Sequence, residues 1–374
     1  MIGLAEIAGP IACIGLAVLL LGRTRRNRIA GLCYAGVGSV LLAVSLAPTN
    51  AAEIGVAVGG VIVLGPLLVW LFRREPWLVA FATLAFVPFR IGFLGHSLLV
   101  PLYAVALGAA GLLLWQLVEG DERTRELGIV SWPLALYLLW IGFSVGWSVD
   151  VHSAAIDLVA FYVPFTIIAV SIARLPWRTS RVRILYGELV AMALVFAVVG
   201  FYQYETKTIF QNAKLHQSNI YEALFRVNSV FFDPSIYGRF LVVALIATAV
   251  LIVRSGPSLR VGLAALAFTA VAWLGLLISF SQSSFAALLV AVFALTAIVW
   301  RWKSLYALAA VLVVAAGMAL LAIFVHSLAY NDFFEDPTTW GLIGLVGLVS
   351  PLRVRARAPV RVEPTEPVPE MIAR

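Results

Sequence analysis

The chain has 374 residues, of which 62% are hydrophobic and 12% charged, and its mean hydropathy is +1.01. These values exclude an ordinary soluble globular domain. The formal net charge is +7, but the distribution of the basic residues explains it as a topological signal, so it does not indicate nucleic-acid binding.

Apolar runs recur along the whole chain, separated by short charged or Gly/Pro-rich breaks. A bilayer core about 30 Å thick needs roughly 20 apolar residues per helix. The runs do not alternate, which favours helices over membrane strands. The sequence therefore predicts an all-α polytopic bundle of about 12–13 transmembrane helices, forming one membrane domain over residues 1–352. The predicted spans are 3–22, 29–47, 54–72, 77–91, 98–118, 128–147, 155–173, 184–204, 239–253, 261–280, 284–300, 305–325 and 338–352.

The basic residues divide unequally between the alternating breaks. One set of breaks, with the C-terminal tail, holds 21 of the 26 Lys and Arg, whereas the other set holds five. By the positive-inside rule, the first set is cytoplasmic and the N-terminus lies outside. The sequence thus predicts a multi-pass protein of the cytoplasmic (inner or plasma) membrane. The five basic residues expected outside are Arg90, Lys207, Lys214, Arg226 and Arg239.

The ends of the chain and the cysteines add little chemistry. No basic region precedes the first apolar run, so a cleavable signal peptide is not predicted. Residues 353–374 are predicted to be a disordered cytoplasmic tail, being rich in Pro and Glu. Cys13 and Cys33 lie within apolar runs, which indicates neither a disulfide nor a metal site.

The longest polar break covers residues 205–239 and carries four of the five outside cations. It ends in the segment RVNSVFFDPSIYGR, residues 226–239. Pro234 suits an early helical position, with Asp233 as the N-cap before it. Because helix N-termini attract anions, Arg226 and Arg239 are candidates to clamp a phosphate. A plain capped helix start is the alternative.

Three further features lie on the same predicted side. The serine-rich turn at 279–284 is expected to hydrogen-bond helix carbonyls, a structural role. Arg90 is expected at the outer end of the span 77–91, where it is either an interfacial anchor or functional. On a helix, His326 and Tyr330 would share a face, as would Asp332 and Glu335. A histidine with carboxylates beside an anion clamp suits a general base.

Four pieces, in order, resemble the O-antigen ligase and Wzy-type polymerase family of bacterial polysaccharide enzymes. They cover roughly residues 80–350 and include two elements beside the polar break: GFYQ at 200–203 resembles "G-x-x-Q", and residues 226–238 resemble "R-x-x-G-x-x-x-D-P-N". The other two are WSVD at 147–150, similar to "W-S-x-D", and NDFFE with WGLIG at 331–344, similar to "H-N-D-x-L-E … G-L-I-G".

The chain departs from the family pattern at several positions. Ser229 replaces the motif's Gly, Ser235 its Asn, and Tyr330 its His. Gln282 stands where an Arg is usual. The loop after the span 305–325 is short, and no helix is predicted after the 338–352 span.

The resemblance implies transfer or polymerisation of an undecaprenyl-pyrophosphate-linked glycan on the outer face of the membrane. The acceptor would be another glycan or a lipid core. Cations are needed at the leaving pyrophosphate, and a base at the acceptor hydroxyl. The expected base is His326, then Asp332 or Glu335. Neither a metal nor another cofactor is expected. The expected donor-binding residues are Arg226, Arg239, Arg90, Lys207, Lys214 and Asp233.

Two alternatives remain open. The chain could be a transporter or flippase for lipid-linked glycans, although it lacks a convincing internal repeat and carries few charges within its spans. It could also be an inactive relative that binds the glycan lipid without transferring it, as the replaced His and Arg suggest.

Overall fold

The computed structural model describes residues 2–46, 51–93, 96–121, 123, 126–210, 212–221, 225–255 and 258–300. Over these residues the protein is an all-α polytopic membrane bundle, as predicted. Its helices run in chain order with one short β-hairpin between the fourth and fifth. They are α1 (Ile2–Leu21), α2 (Arg25–Ser45), α3 (Ala51–Arg74), α4 (Leu78–Phe86), α5 (Val100–Val118), α6 (Ser131–Ser144), α7 (Val151–Asp157), α8 (Val163–Ala173), α9 (Thr179–Thr206), α10 (Ala213–Tyr221), α11 (Pro234–Ser255), α12 (Leu259–Ser279) and α13 (Gln282–Trp300).

Eight helical segments within the described residues are long and apolar enough to cross a bilayer. Two of them combine several elements. A 3-10 turn on either side of α6 extends that span to Gly128–Trp147, and a π-helical turn at Leu158–Tyr162 joins α7 to α8. The predicted spans match these segments to within about five residues at each end. The predicted spans 305–325 and 338–352 and the tail lie outside the described residues.

The predicted span 77–91 is wrong, because this segment does not form one helix long enough to cross the bilayer. Helix α4 has nine residues, which gives about 14 Å of rise against the roughly 30 Å of a bilayer core. Pro88 follows after one residue, Val87, and because proline lacks an amide donor the helix ends before it. The chain continues into an antiparallel hairpin of β1 (Ile91–Phe93) and β2 (His96–Leu98). Buried Val87 and Pro88 show that the irregular backbone begins inside the protein, where it is tolerated.

The first hydrophobic core lies between α1, α2, α5, α6 and the α7–α8 segment. Glycines allow α1 and α2 to approach closely. A Cβ on Gly15 would lie 2.2 Å from the Ala35 nitrogen, and one on Gly38 would lie 2.4 Å from the Ala12 nitrogen. Small residues at such contacts are typical of helix packing in membranes.

The second core lies between α9, α11 and α12 and contains Val87 from the chain after α4. Phe196, Phe231 and Phe240 form its aromatic centre, with ring centroids 5.2–5.5 Å apart. Phe231 belongs to the loop before α11, so this loop is anchored in the core by its own side chain.

Because the long helices alternate in direction, the bundle has two ends. We call one the network end, where Arg28, Asp121, Arg123, Glu126 and Arg174 form linked ion pairs. The other is the loop end, where α9 passes through α10 into α11.

Charged groups at the network end are buried. Arg28, Glu126 and Arg174 are each 1% exposed. Glu126 pairs with both arginines, at 2.6 Å from Arg28 Nη1, and Asp121 Oδ2 lies 2.8 Å from Arg174 Nη2. Partial burial raises the pKa of Asp121, but the hydrogen bonds from Arg123 and the charge of Arg174 outweigh it and hold that pKa well below its usual range.

Candidate anion site at the loop end

Helix α11 starts where the sequence predicts. It begins at Pro234, and the Asp233 carboxylate accepts a hydrogen bond from the Ser235 amide at 2.6 Å. The predicted cap is therefore confirmed, while the predicted span start at 239 lies five residues too late. The Asp233 oxygen accepts from one of the backbone amides that an anion bound at this helix end would need. Asp233 thus acts as a cap, and its predicted contact with a pyrophosphate gains no structural support.

A buried glutamine joins the loop to the end of α9. Gln203 donates to the Ser229 carbonyl at 2.8 Å and accepts from the Ser229 amide at 2.7 Å. Ser229 Oγ also donates to the Phe196 carbonyl at 2.7 Å. Both residues are fully buried. The two motif pieces 200–203 and 226–238 therefore meet directly.

Ser229 has a backbone φ of +53°, in the left-handed region that favours glycine. It stands at the position where the motif of the resembled family carries Gly. The hydrogen bond from Ser229 Oγ to the Phe196 carbonyl offsets part of the free-energy cost of this backbone conformation. The local backbone thus has the conformation that the motif's glycine would favour.

Three asparagines hold the rest of the loop. Asn228 Nδ2 donates to the carbonyls of Phe231 at 2.5 Å and Phe210 at 3.1 Å. Asn219 donates to the Arg226 carbonyl at 2.8 Å and accepts from the Arg226 amide at 3.1 Å. Asn212 begins α10 by accepting from the Leu215 amide, and it donates to the Phe232 carbonyl. Neutral amides therefore satisfy the loop's buried backbone.

The corner between α12 and α13 closes against the same loop. The Val227 amide donates to the Ile278 carbonyl at 3.2 Å, and Ser284 Oγ donates to the Ser235 carbonyl at 3.3 Å. A Cβ on Gly238 would lie 2.5 Å from Ser284 Oγ, so α11 needs a glycine there. The predicted structural role of these hydroxyls is confirmed, since Ser279 Oγ also donates to the Leu276 carbonyl. Gln282 at the tip is exposed.

Arg226 and Arg239 both lie beside this corner. Arg226 precedes Val227, which bonds α12, and Arg239 Nε donates to the same Ser235 carbonyl that Ser284 reaches. Arg226 Nε is buried and has no hydrogen-bond partner among the described residues. Guanidinium donors in a site of low polarity are costly to leave unsatisfied. Arg226 is therefore the candidate cation with unused hydrogen-bonding capacity.

Lys207 lies against the aromatic rings of Tyr204 and Phe225. It ends α9 in the left-handed conformation, with φ +54°. Its Nζ lies 3.9 Å from the Tyr204 ring centroid and 5.0 Å from that of Phe225, the neighbour of Arg226. Lys214, in contrast, is exposed on α10. Lys207 thus contacts the residue that precedes Arg226, whereas Lys214 is exposed.

Arg90 reaches the loop end by an unexpected route. It lies beyond α4 on non-helical chain rather than at a helix end, so that part of the prediction is wrong. Its Cζ lies 5.0 Å from the Phe232 ring centroid, directly before Asp233. Arg90 therefore joins the loop end, as the sequence predicted.

The other predicted elements are not part of this cluster. Asp150 caps α7 by accepting from the Ser153 amide at 3.0 Å and its hydroxyl at 2.6 Å, bonds that lower the Asp150 pKa. His326, Asp332 and Glu335 lie outside the described residues. Within the described residues, no group of three or more His, Cys, Asp or Glu side chains is placed to hold a metal ion.

Sequence reasoning missed the roles of Gln203, Asn219, Asn228 and Ser229 in building the site. Gln203 was part of a motif, but its partner 26 residues away was not predictable from it. Buried amide side chains in an apolar protein were the usable signal, because burial requires that they be hydrogen-bonded.

No protein-family model matches the chain, and neither a curated protein nor a solved structure matches it. The apolar helices and their bundle place it in the class of multi-pass α-helical membrane proteins.

Proposed function

We propose that the protein transfers or polymerises an undecaprenyl-pyrophosphate-linked glycan at the loop end. The observation that carries the proposal is the contact between the pieces that resemble the O-antigen ligase and polymerase family. Residues 200–203 bond residue 229, and residues 227 and 235 bond the α12–α13 corner. Two of the four resembling pieces, 200–203 and 226–238, thus meet directly, and this contact supports the proposal.

The proposed membrane is the cytoplasmic one, with the loop end outside and the network end in the cytoplasm. The charge distribution supports this orientation. Basic residues of the network-end breaks include Arg25, Arg73, Arg123 and Arg174, whereas the Lys and Arg at the loop end, within the described residues, are the five cations expected outside. Such a bias sets the direction of insertion. Lipid-linked glycan would meet the loop end from the outer leaflet.

The chemistry is a single glycosyl transfer. The acceptor hydroxyl attacks the anomeric carbon of the donor, the bond from that carbon to the pyrophosphate oxygen breaks, and undecaprenyl pyrophosphate leaves with the bonding electrons. The hydroxyl proton passes to a base, for which His326, Asp332 and Glu335 remain the candidates. Cations fixed before the reaction stabilise the charge that develops on the leaving group.

Arg226 is the first choice for the pyrophosphate, because its Nε lacks a hydrogen-bond partner among the described residues and its backbone is held by Asn219. Lys207, Arg239 and Arg90 lie on the same loop end, where they contact Phe225, Ser235 and Phe232 respectively. Lys214 ranks last among the five, since it is exposed on α10. The proposal therefore predicts a graded response when the cations are replaced one by one.

The test is turnover of a synthetic undecaprenyl-pyrophosphate glycan by the full-length protein in nanodiscs. Arg226→Ala should lower the rate at least about tenfold, equal to about 1.4 kcal/mol of transition-state stabilisation. His326→Ala should lower it similarly. Lys214→Ala should change it less than about threefold. Arg183→Ala, at an exposed position near the start of α9, is the matched control for loss of one charge.

The alternatives give different results in the same preparation. Glycan-lipid binding that depends on Arg226, with no product at any time, would favour the inactive relative. Movement of the glycan lipid between leaflets of sealed proteoliposomes, without a new glycosidic bond, would favour the flippase. Equal rates for wild type and Arg226→Ala would contradict the assigned site.

A further inference from the structure

A second group of cations lies at the network end, outside the buried ion pairs. Arg73 Cζ lies 3.4 Å from the Trp115 ring centroid, and Arg74 Cζ lies 4.0 Å from that of Trp70. Arg25 Nη2 donates to the Val118 carbonyl at 2.6 Å. All three arginines are exposed. Their guanidinium groups are therefore held in defined positions while remaining open to a ligand.

Helix α5 brings two of these cations together. Trp115 and Val118 are three residues apart on its last turn, and such residues are neighbours on a helix surface, with Cβ atoms about 5–6 Å apart. Arg73 from α3 and Arg25 from α2 thus flank one helical turn. We call the group Arg25, Trp70, Arg73, Arg74 and Trp115 the basic corner.

The basic corner has a charge excess. Three carboxylates are close in sequence, Glu75, Glu119 and Asp121. Glu75 lies 3.7 Å from Arg181, in an ion pair directed towards α9, and Asp121 already pairs with Arg123 and Arg174. Glu119 is exposed at the end of α5. Two of the three carboxylates near these guanidinium groups therefore already have other partners.

Apolar side chains continue from the corner along the same helices. Leu67 on α3 is 54% exposed and lies about one turn before Trp70, and Leu114 on α5 is 39% exposed and lies about one turn before Val118. Tryptophan and arginine are typical of the depth where lipid headgroups meet the hydrocarbon. Cations at that depth above exposed leucines fit an amphiphile with an anionic head.

We propose that the basic corner binds an anionic phospholipid, with the headgroup phosphate between Arg25 and Arg73 and an acyl chain along Leu67 and Leu114. Paired guanidinium groups suit phosphate oxygens geometrically, and basic clusters beside membrane helices attract anionic lipids. The corner lies at the opposite end from the glycan site, so this proposal does not depend on the proposed function.

The test is native mass spectrometry of the detergent-purified full-length protein, titrated with phosphatidylglycerol, phosphatidylcholine or inorganic phosphate. Wild type should bind phosphatidylglycerol at least about tenfold more tightly than phosphatidylcholine. Arg25→Gln with Arg73→Gln should lose that preference. Arg183→Gln with Arg260→Gln removes the same charge from exposed positions on α9 and α12 and should keep it.

Two further experiments distinguish a loss of lipid recognition from misfolding of the double variant. Thermal unfolding without added lipid shows whether the double variant is folded, and Arg73→Gln alone, which breaks no hydrogen bond to the backbone, should still weaken binding by about threefold or more. The proposal is overturned if the Arg25/Arg73 variants keep the full preference, or if the Arg183/Arg260 control loses as much. Inorganic phosphate binding as tightly as the lipid would overturn the lipid as occupant.

Discussion

The two ends of the bundle handle polar groups in opposite ways. At the network end, charged side chains are buried and support the fold, with Arg28, Glu126 and Arg174 each 1% exposed. At the loop end, neutral amides such as Gln203 and Asn228 hold the backbone. The loop-end cations lie around that scaffold.

Charged side chains therefore stabilise the fold at the network end, whereas neutral side chains do so at the loop end. A buried ion pair is costly to break, because its removal leaves an uncompensated charge. A scaffold built from amides holds the loop without using charged side chains. Substitutions within the buried ion pairs of the network end should therefore damage the fold, whereas substitutions of the loop-end cations should chiefly alter the proposed binding.

The largest expected effect is at Glu126. Glu126→Gln leaves the buried guanidinium groups of Arg28 and Arg174 without their shared negative charge. We expect a loss of about 3–5 kcal/mol in the free energy of unfolding. Thermal unfolding in detergent, read by fluorescence-detected size exclusion, measures the loss as a lowered midpoint or as loss of the folded peak.

Glu75→Gln is the matched control. Glu75 pairs with Arg181 at 3.7 Å, and the two side chains are 57% and 40% exposed. An exposed pair of this kind contributes less than about 1 kcal/mol. Equal destabilisation by the two substitutions would contradict a structural role for the buried network.

The loop-end counterpart is Gln203. Gln203→Leu removes both hydrogen bonds to Ser229 and leaves buried backbone groups unsatisfied, which should cost about 1–3 kcal/mol. Gln282→Leu, at an exposed position on the α12–α13 corner, should change the unfolding free energy by less than about 0.5 kcal/mol. If Gln203→Leu were equally mild, the amide scaffold would not hold the loop.

Much of the fold could be predicted from the sequence, because burial in lipid imposes length and composition on each helix. The span 3–22, for example, is α1 at Ile2–Leu21. Helix α9 begins five residues before the predicted 184, since its first turns carry polar residues that hydropathy does not count as helix. The span 77–91 failed because Pro88 ended α4 early.

The site could be predicted only where local chemistry determines it. Asp233 and Pro234 predicted the start of α11 correctly, since capping depends on adjacent residues. The contacts of Gln203 with Ser229 and of Val227 with Ile278 join distant segments. No local pattern specifies which distant segments meet. The buried ion pairs of the network end are not predictable for the same reason. The sequence positions of their arginines indicate topology, but they do not indicate that these side chains are buried.

A smaller effect tests the backbone of the loop scaffold. Ser229 has φ +53°, a conformation that costs a non-glycine residue about 1 kcal/mol. Ser229→Gly relieves that strain but loses the bond to Phe196, whereas Ser229→Ala loses the bond and keeps the strain. The glycine variant should therefore be more stable than the alanine variant by about 1 kcal/mol in thermal unfolding. The reverse order would mean that the left-handed conformation carries no cost here.

The smallest expected effect is the pH dependence contributed by Asp121, whose pKa is held below its usual range by Arg123 and Arg174 despite partial burial. A carboxylate with a lowered pKa in the folded state stabilises the protein above the unfolded-state pKa, about 3.9. That contribution is lost as the pH falls through the lower folded-state pKa. Because Asp121 is partly exposed, solvent screening should limit it to less than about 1 kcal/mol.

The difference in unfolding midpoint between wild type and Asp121→Asn should therefore be full at pH 7 and shrink from about pH 4 downwards. Arg123→Gln should reduce the pH dependence, because it removes the hydrogen bonds that lower the Asp121 pKa. A difference that stays constant from pH 7 to pH 3 would show that Asp121 contributes packing or neutral hydrogen bonds instead of charge. In that case the contrast between a charged end and an amide-built end would rest on Glu126 alone.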